Sequence, residues 1–490
     1  MEAVKKMDPL EKAEEHIDVL KSIARPKFIV EVGYGEKKKD VVDPAKLRQY
    51  LESEGYCRYK GKVIRIVDNI ADFACPNSIY RHCIGHVGSF VHDGFESLFV
   101  RVGESLLIKN KGILLGLREC ALEPVKHTRK AANYFYRNGV VRVTQGEVME
   151  LLEYTEIEGF IWKVDIKERE FSFIDEKEVN KGMFYLFMDR TSNTREHFKA
   201  NVTALGYAIH SYKDPSEPKA LIINDENLAD TGNPEGGTGK GICVKAIKAM
   251  VPVAPYNGKN SEFAKNRFAY QNVNRATKVI SIDDVGRNFP FESLFSVLTD
   301  SLIVERKHQG IEEIPYKESP KFVLTTNYTI KGRSGSYARR RFDMFLNNHY
   351  GPKHRPIDEF GNEFFHGWDG REWERFDNFM MICVKTYLDQ GLIEYRSSDI
   401  ELKVLKNETS EEFWDIMEED GFGRIGERHY KTELLQRIKD RNPKPFFKTL
   451  SFRKLKEWIN LYSQFHGLKV VHSKENTRSF YEFRPKVKDS

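Results

Sequence analysis

The sequence is poor in cysteine and has no long apolar run. Its six cysteines are spread over 490 residues without paired spacing, so they predict no disulfide framework and indicate a reducing compartment. No window approaches the roughly 18 apolar residues of a membrane span, and residues 1–21 are charged and lack the apolar core of a signal peptide. We therefore expect a cytoplasmic protein without a membrane partner.

Recognisable metal-ligand spacing is also missing from the N-terminal part. Five residues there could bind zinc: Cys75, His82, Cys83, His86 and His92. Their spacing matches none of the usual paired-ligand patterns, which favours buried thiols and solvated histidines. The region also has neither the His-hydrophobic-His pair of a nicking endonuclease nor a convincing acidic triad of a polymerase-type primase. Residues 1–182 therefore predict a mixed α/β domain without an assigned role.

Local features of this first domain are predictable. Asp43 is a candidate N-cap for a helix that begins at Pro44, and residues 63–67 and 98–102 have the composition of strands. The length of the whole chain predicts about three domains. We place the others at residues 183–395 and 410–490, with a polar connection between them.

Positive charge is weak overall but concentrated at one end. The formal net charge is +5, yet residues 424–490 hold 17 lysines and arginines against 7 acids, a net of +10, so the first 423 residues carry −5. Residues 452–465 predict an amphipathic helix, and residues 468–471 and 479–483 predict two strands joined by a charged loop, 472–478. This is the outline of a winged helix that contacts DNA phosphates. A basic subdomain that only supports the remainder is the alternative.

Glycine is concentrated in one loop, Gly236-Gly237-Thr238-Gly239-Lys240-Gly241. An apolar run at residues 220–223 precedes it and a helix-like segment at 244–250 follows, which is the context of a phosphate-binding loop. Lys240 would reach the β and γ phosphates. The full pattern has a hydroxyl that ligates Mg²⁺ where this chain has Gly241, and a glycine where it has Pro234.

Two later apolar runs end in polar side chains. Residues 278–285 contain an apolar run that ends at Asp283 and Asp284, and residues 321–327 contain one that ends at Asn327. The carboxyl ends of buried parallel strands open into a ligand crevice. One carboxylate could hold Mg²⁺ and the other orient the attacking water, while the amide hydrogen-bonds the γ-phosphate. The run Arg339-Arg340-Arg341 follows, either as a solvated face or as donors to a transferring phosphoryl group.

Taken in order, these residues resemble a superfamily 3 helicase of the AAA+ group, and more narrowly the poxvirus-type primase-helicase NTPases of phages, plasmids and mobile elements. The resemblance covers residues 183–392. It implies an AAA+ P-loop ATPase core with a parallel sheet, and ATP and Mg²⁺ as cofactors. It implies further that residues 236–241 cradle the phosphates and that Asp283 belongs to the Mg²⁺ shell.

The same resemblance assigns the remaining roles. Asp284 would be the catalytic carboxylate and Asn327 the γ-phosphate sensor. Arg340, with Arg341 as second choice, would act on the neighbouring subunit of a homo-oligomeric ring, expected to be a hexamer. The segment between the acidic and asparagine strands would form a hairpin whose Lys307 and His308 grip DNA.

The sequence thus predicts an ATP-dependent, ring-forming DNA helicase that translocates on single-stranded or forked DNA during replication of a phage, plasmid or mobile element. A primase or polymerase is a further candidate partner. Two other classes stay open: an initiator in which ATP switches assembly without unwinding, and an AAA+ remodeller whose hairpin grips polypeptide.

Overall fold

The structure is a computed structural model. It describes residues 25–90, 93–226, 237–259, 266–286, 289–307, 310–328, 330, 335–396, 398–441, 450–475 and 477–486. The chain divides into two compact units, one of residues 1–126, 134–140 and 151–170, the other of residues 127–133, 141–150 and 171–490. The three-domain division stays a prediction. Among the described residues, no helix is both long and apolar enough to cross a lipid bilayer.

The first unit is a mixed α/β structure, as expected. Its principal sheet has the strand order Tyr56–Tyr59, Lys62–Val67, Ile70–Phe73, Ile161–Trp162. A small antiparallel sheet pairs Ile29–Val32 with Lys39–Val42. Its helices are Pro44–Ser53, Pro76–Gly88, Asp93–Glu104 with a π-helical continuation at Ser105–Lys109, and Gly112–Leu115. A further three-stranded sheet consists of Ala131–Tyr136, Gly139–Thr144 and Glu150–Leu152.

Two local predictions in this unit had opposite outcomes. The Asp43 cap is confirmed, since its Oδ1 accepts hydrogen bonds from the backbone N–H of Ala45 at 2.8 Å and of Lys46 at 3.1 Å. The predicted strand at residues 98–102 is wrong, because this segment lies in the helix Asp93–Glu104. Phe95 and Phe99 are both buried, so a spacing of four residues, typical of a helix face, outweighed the local β-branched composition.

The cysteines and histidines of this unit contribute to packing and capping. Cys75 Sγ accepts a hydrogen bond from Ser78 N at the start of the helix Pro76–Gly88. Cys83 is fully buried in the core, and the His86 ring stacks on Tyr50 with centroids 4.4 Å apart. Burial lowers the pKa of His86. His92 lies outside the described residues.

The second unit contains a five-stranded parallel sheet. Its strand order is Val253–Asn257, Val279–Val285, Lys321–Thr326, Ala220–Asp225, Arg341–Leu346. We name three of these strands: the phosphate-loop strand (Ala220–Asp225), the acidic strand (Val279–Val285) and the asparagine strand (Lys321–Thr326). All three were predicted from apolar runs, and these runs are buried throughout, as parallel strands covered on both faces require.

The described residues of the second unit contain twelve α-helices. They are Glu176–Val179, Met183–Arg190, Arg195–Ile209, Lys240–Met250, Phe295–Thr299, Gly335–Arg340, Pro356–Phe360, Gly370–Gln390, Ser398–Glu408, Glu411–Glu419, Lys431–Arg441 and Phe452–Phe465. The helices Arg195–Ile209 and Gly370–Gln390 approach closely at Gly206, where a Cβ would clash with the carbonyl oxygen of Cys383. Residues 398–408, predicted as a connection, are helical.

The C-terminal helix and hairpin are present with longer strands than predicted. The helix Phe452–Phe465 buries Leu455, Trp458, Ile459 and Tyr462. The strands Leu468–Glu475 and Arg478–Pro485 pair along their whole length, and Arg428–Tyr430 adds a third strand. The predicted charged loop 472–478 is therefore mostly strand, because polar side chains on an exposed ribbon do not interrupt its backbone pairing.

Candidate functional site

The strand order brings the ends of the phosphate-loop and asparagine strands together. The side chain of Lys240, which begins the helix after the loop, donates from Nζ to Asp225 Oδ2 and to Asn327 Oδ1, both at 2.5 Å. The Lys240 side chain is 11% exposed and that of Asp225 5%. Lys240 and Asn327, 87 positions apart in the chain, thus lie in direct contact.

Asp225 was missed by the sequence reasoning. It is the last residue of the phosphate-loop strand, and its carboxylate accepts hydrogen bonds from both Lys240 and the hydroxyl of Thr238. The available signal was its place two residues after the end of the apolar run 220–223. A buried carboxylate held by an ammonium group and a hydroxyl fixes the base of the loop.

The described part of the loop has the backbone that close approach to an anion requires. Gly237 and Gly239 have φ of +111° and +104°. At Gly239 a Cβ would also clash with the ring of Phe187, so only glycine fits there. The helix begins at Lys240, four residues earlier than the predicted segment, and no side chain caps its first turn. Its N-terminal N–H groups and dipole can therefore serve an anion. Gly236 lies outside the described residues.

Gly241, the departure from the phosphate-loop pattern, is in the first turn of this helix. It is exposed, and a Cβ there would meet no atom within 4 Å. The position has room for the missing hydroxyl.

We expect Gly241→Ser to increase the free energy of unfolding by about 0.5 kcal/mol, because serine is the better helix former. If the loop binds nucleotide with Mg²⁺ as the sequence predicts, the substitution should also lower the Mg²⁺ concentration that half-saturates ATP hydrolysis, since a protein ligand replaces water. A Mg²⁺ titration of turnover measures this. Gly370→Ser, at the equally open first position of another helix, is the control that should stabilise without changing Mg²⁺ dependence. An unchanged Mg²⁺ requirement in Gly241→Ser would contradict the prediction that position 241 is the Mg²⁺-ligand position of a phosphate-binding loop.

The two acids lie on a β-bulge. The pairing of the acidic and asparagine strands shifts register between Ile282 and Val285, so Asp283 and Asp284 together lie opposite Thr325. Asp284 has φ of +55°, in the left-handed region that non-glycine residues seldom adopt and that aspartate adopts more readily than most. Such bulges redirect side chains beside functional sites.

Two threonines fix this bulge. The Thr325 hydroxyl donates to Asp283 Oδ1 at 2.5 Å and accepts from the backbone N–H of Asp284 at 2.8 Å. The Thr326 hydroxyl donates to the carbonyl of Val285 at 2.8 Å. Both threonines are buried. They hold the acids at the strand end, and sequence reasoning assigned them no role because the contact depends on register.

The Asp284 carboxylate is more accessible than that of Asp225. Its side chain is 38% exposed, and Oδ2 lies 2.6 Å from Nζ of Lys259. Hydrogen bonding to Asp284 raises the pKa of Lys259. The Lys259 side chain is 72% exposed, so this surface pair contributes little to stability and leaves Asp284 available.

The predicted hairpin is confirmed between the acidic and asparagine strands. Leu302–Glu305 pairs antiparallel with Ile311–Ile314. Arg306 folds back to Glu312 at 2.9 Å and to the carbonyl of Gln271 at 3.0 Å. Lys307 is exposed at the described part of the tip, and His308 lies outside the described residues.

The three arginines occupy different surroundings. Arg341 makes a two-pronged ion pair with Asp343, at 2.9 Å from Nε and 2.8 Å from Nη2, and donates to the carbonyl of Ile330. Arg340 lies over the Phe295 ring, 4.6 Å from its centroid. Arg339 is exposed. The guanidinium of Arg341 is thus engaged within its own chain, and the trans role of Arg340 stays a prediction.

Known proteins give distant likenesses only. The sequence matches no protein-family model and no curated protein. Among solved structures, the chain is similar to the apo A form of the NrS-1 C-terminal region, with a TM-score of 0.39 and 14% identity over 90% of this chain and 99% of that chain. A second A-form structure of that region has a TM-score of 0.42 and 13% identity over 90% of this chain and 100% of that chain. A JCV helicase with a bound small molecule has a TM-score of 0.21 and 13% identity over 51% of this chain and 73% of that chain. At such low scores and identities the roles of the site residues depend on their geometry.

Proposed function

We propose that the chain hydrolyses ATP at the edge of the parallel sheet and uses the energy to unwind DNA as a ring-forming helicase. The observation that carries this proposal is the contact of Lys240 with Asn327, beside a helix N-terminus that no side chain caps. Asn327 directly follows the asparagine strand, which lies next to the acidic strand with its bulge. Across the neighbouring phosphate-loop, asparagine and acidic strands, the sheet edge thus presents a cation, then a neutral amide, then two carboxylates. This arrangement suits phosphoryl transfer from a bound nucleoside triphosphate.

Each group has a separate task in the proposed reaction. The glycine loop and the N–H groups of the helix Lys240–Met250 bind the phosphates. Lys240 neutralises charge on the β and γ phosphates, and Asn327 orients the γ-phosphate or the attacking water without adding negative charge. Asp225 keeps Lys240 in place through their buried contact.

The residues present fit a magnesium ion. Asp283 offers a carboxylate at the strand end, oriented by the Thr325 hydroxyl, and oxygen ligands are those that Mg²⁺ prefers. When bound, the ion neutralises charge on the triphosphate. Asp284, beside it in the bulge, accepts a proton from the attacking water.

Assembly and DNA contact extend the proposal. A ring, expected to be a hexamer, would let Arg340 of one subunit reach nucleotide on the next. The exposed Lys307 would grip single-stranded DNA. The net charge of +10 in residues 424–490 supports additional phosphate contacts. The role in replicating a phage, plasmid or mobile element rests on the sequence resemblance.

One observation favours the remodeller as a second candidate. The exposed face of the hairpin carries Ile303 and Ile311, which are 50% and 68% exposed, together with the exposed Glu313. Apolar and acidic side chains suit an unfolded polypeptide better than a nucleic-acid backbone.

ATP turnover with added polymers separates the candidates. Single-stranded DNA should raise turnover several-fold, Lys307→Ala should lose most of this stimulation, and Lys317→Ala, an exposed lysine beyond the hairpin, should keep it. Stimulation should also fall with salt, because phosphate contacts release counterions. Stimulation by an unfolded polypeptide and not by DNA would establish the remodeller instead. Turnover that responds to neither would favour the initiator.

A further inference from the structure

A short segment after the strand Arg341–Leu346 brings together three side chains that the sequence analysis did not connect. Gly351 and His354 exchange backbone hydrogen bonds of 2.9 and 3.2 Å, which closes a turn. The helix Pro356–Phe360 follows at once and returns Glu359 towards His349 and His354. The side chains of His349, His354 and Glu359 each offer one metal-ligating atom, and these three atoms lie within 4.8 Å of one another. Among the described residues, no other three histidine, cysteine or acidic side chains converge in this way.

The distances suit a small tetrahedral ion. His349 Nε2 and His354 Nε2 lie 2.9 and 3.4 Å from Glu359 Oε2. Zinc bonds of about 2.0–2.1 Å to nitrogen and oxygen place tetrahedral ligand atoms about 3.3 Å apart. Little rearrangement is therefore needed for the three atoms to share one ion, and two imidazoles with one carboxylate is an established zinc ligand set.

Neighbouring groups orient the carboxylate. The Tyr350 hydroxyl donates to Glu359 Oε2 at 2.9 Å, and Arg190 Nε donates to Oε1 at 3.3 Å. The Tyr350 ring is buried. Hydrogen bonds to a ligand from outside the metal shell fix its rotamer, which raises metal affinity.

We propose that His349, His354 and Glu359 bind one Zn²⁺ ion, with a fourth position left for water or another ligand. This site is separate from the acids of the bulge. Its ligands are nitrogen-rich and suit zinc, whereas the carboxylates of the bulge suit magnesium.

The site has a path of contacts to the glycine loop. The Tyr350 ring stacks on Phe187, with centroids 5.6 Å apart, and Phe187 occupies the space beside Gly239. A Cβ on Gly237 would contact Gly351. Zinc at the turn would therefore stiffen one side of the glycine loop. This effect on nucleotide binding rests on the proposed function, but the proposal that zinc binds here does not.

Zinc titration without nucleotide, in excess Mg²⁺ and against a chromophoric competitor, tests the proposal. The full chain and His366→Gln, an exposed histidine outside the cluster, should each bind one equivalent. His354→Gln and Glu359→Gln should bind about 100-fold more weakly. Each variant is compared with its own melting curve without zinc, because Glu359 also accepts hydrogen bonds from Tyr350 and Arg190. Zinc should raise the melting temperature of the full chain and of His366→Gln, and should leave those of His354→Gln and Glu359→Gln unchanged.

Co²⁺ in place of zinc identifies the ligands, because the six free cysteines could also bind zinc. The proposal expects visible d–d absorption without a thiolate charge-transfer band, lost in Glu359→Gln. Equal zinc affinity in the parent chain and both cluster variants would overturn the proposal, as would a cobalt spectrum of thiolate ligands. Since the readouts need no ATP, a chain that binds zinc but lacks ATPase activity would count against the proposed function alone.

Discussion

Asp284→Asn is expected to lower ATP turnover by about 10²- to 10⁴-fold while ATP still binds, because an amide cannot accept the proton of the attacking water. The substitution should leave the fold intact. Asparagine adopts positive φ more readily than most residues, so it tolerates the +55° at this position. The backbone N–H that donates to Thr325 is also retained.

Initial rates of phosphate release, together with titration of a fluorescent ATP analogue, measure the two halves of this prediction. Asp300→Asn provides the control, because Asp300 is an exposed acid at the end of the short helix Phe295–Thr299, in the same unit. Turnover of Asp284→Asn equal to that of the parent chain would remove Asp284 from the catalytic role.

Lys240→Ala should have two separable effects. Loss of the phosphate-binding cation should reduce turnover at least about 100-fold. The fold should lose about 3–5 kcal/mol of unfolding free energy, because the nearly buried Asp225 carboxylate would lose its ion-pair partner. Lys245→Ala, an exposed lysine on the same helix, should show neither effect.

A second substitution distinguishes catalysis from folding. Adding Asp225→Asn to Lys240→Ala removes the unpaired buried charge, and most of the lost stability should return in a denaturant titration. ATP turnover should not return. Recovery of turnover would show that the single substitution acted only through misfolding, and a double variant as unstable as Lys240→Ala would contradict the buried ion pair.

The sheet that carries the site was predictable because its signals are local. Buried parallel strands are nearly continuous apolar runs, and the polar residue that ends each run marks the functional edge. Asp283, Asp284 and Asn327 were placed by this pattern alone. The contact between Lys240 and Asn327 became visible only in the structure.

The remaining features depend on contacts between distant parts of the chain. The bulge at Asp284 is a property of register with the asparagine strand, which single-strand composition does not encode. Asp225 became a site residue only through the side chains of Thr238 and Lys240. The helix at residues 93–104 shows the reverse case, in which packing of Phe95 and Phe99 prevailed over the composition of residues 98–102.

Strand displacement from forked DNA tests the central claim most directly. The parent chain with ATP and Mg²⁺ should separate the strands, and the stable double variant Lys240→Ala with Asp225→Asn should not. Displacement by that double variant, or no displacement by a parent chain that hydrolyses ATP and binds the fork, would contradict an ATP-driven helicase.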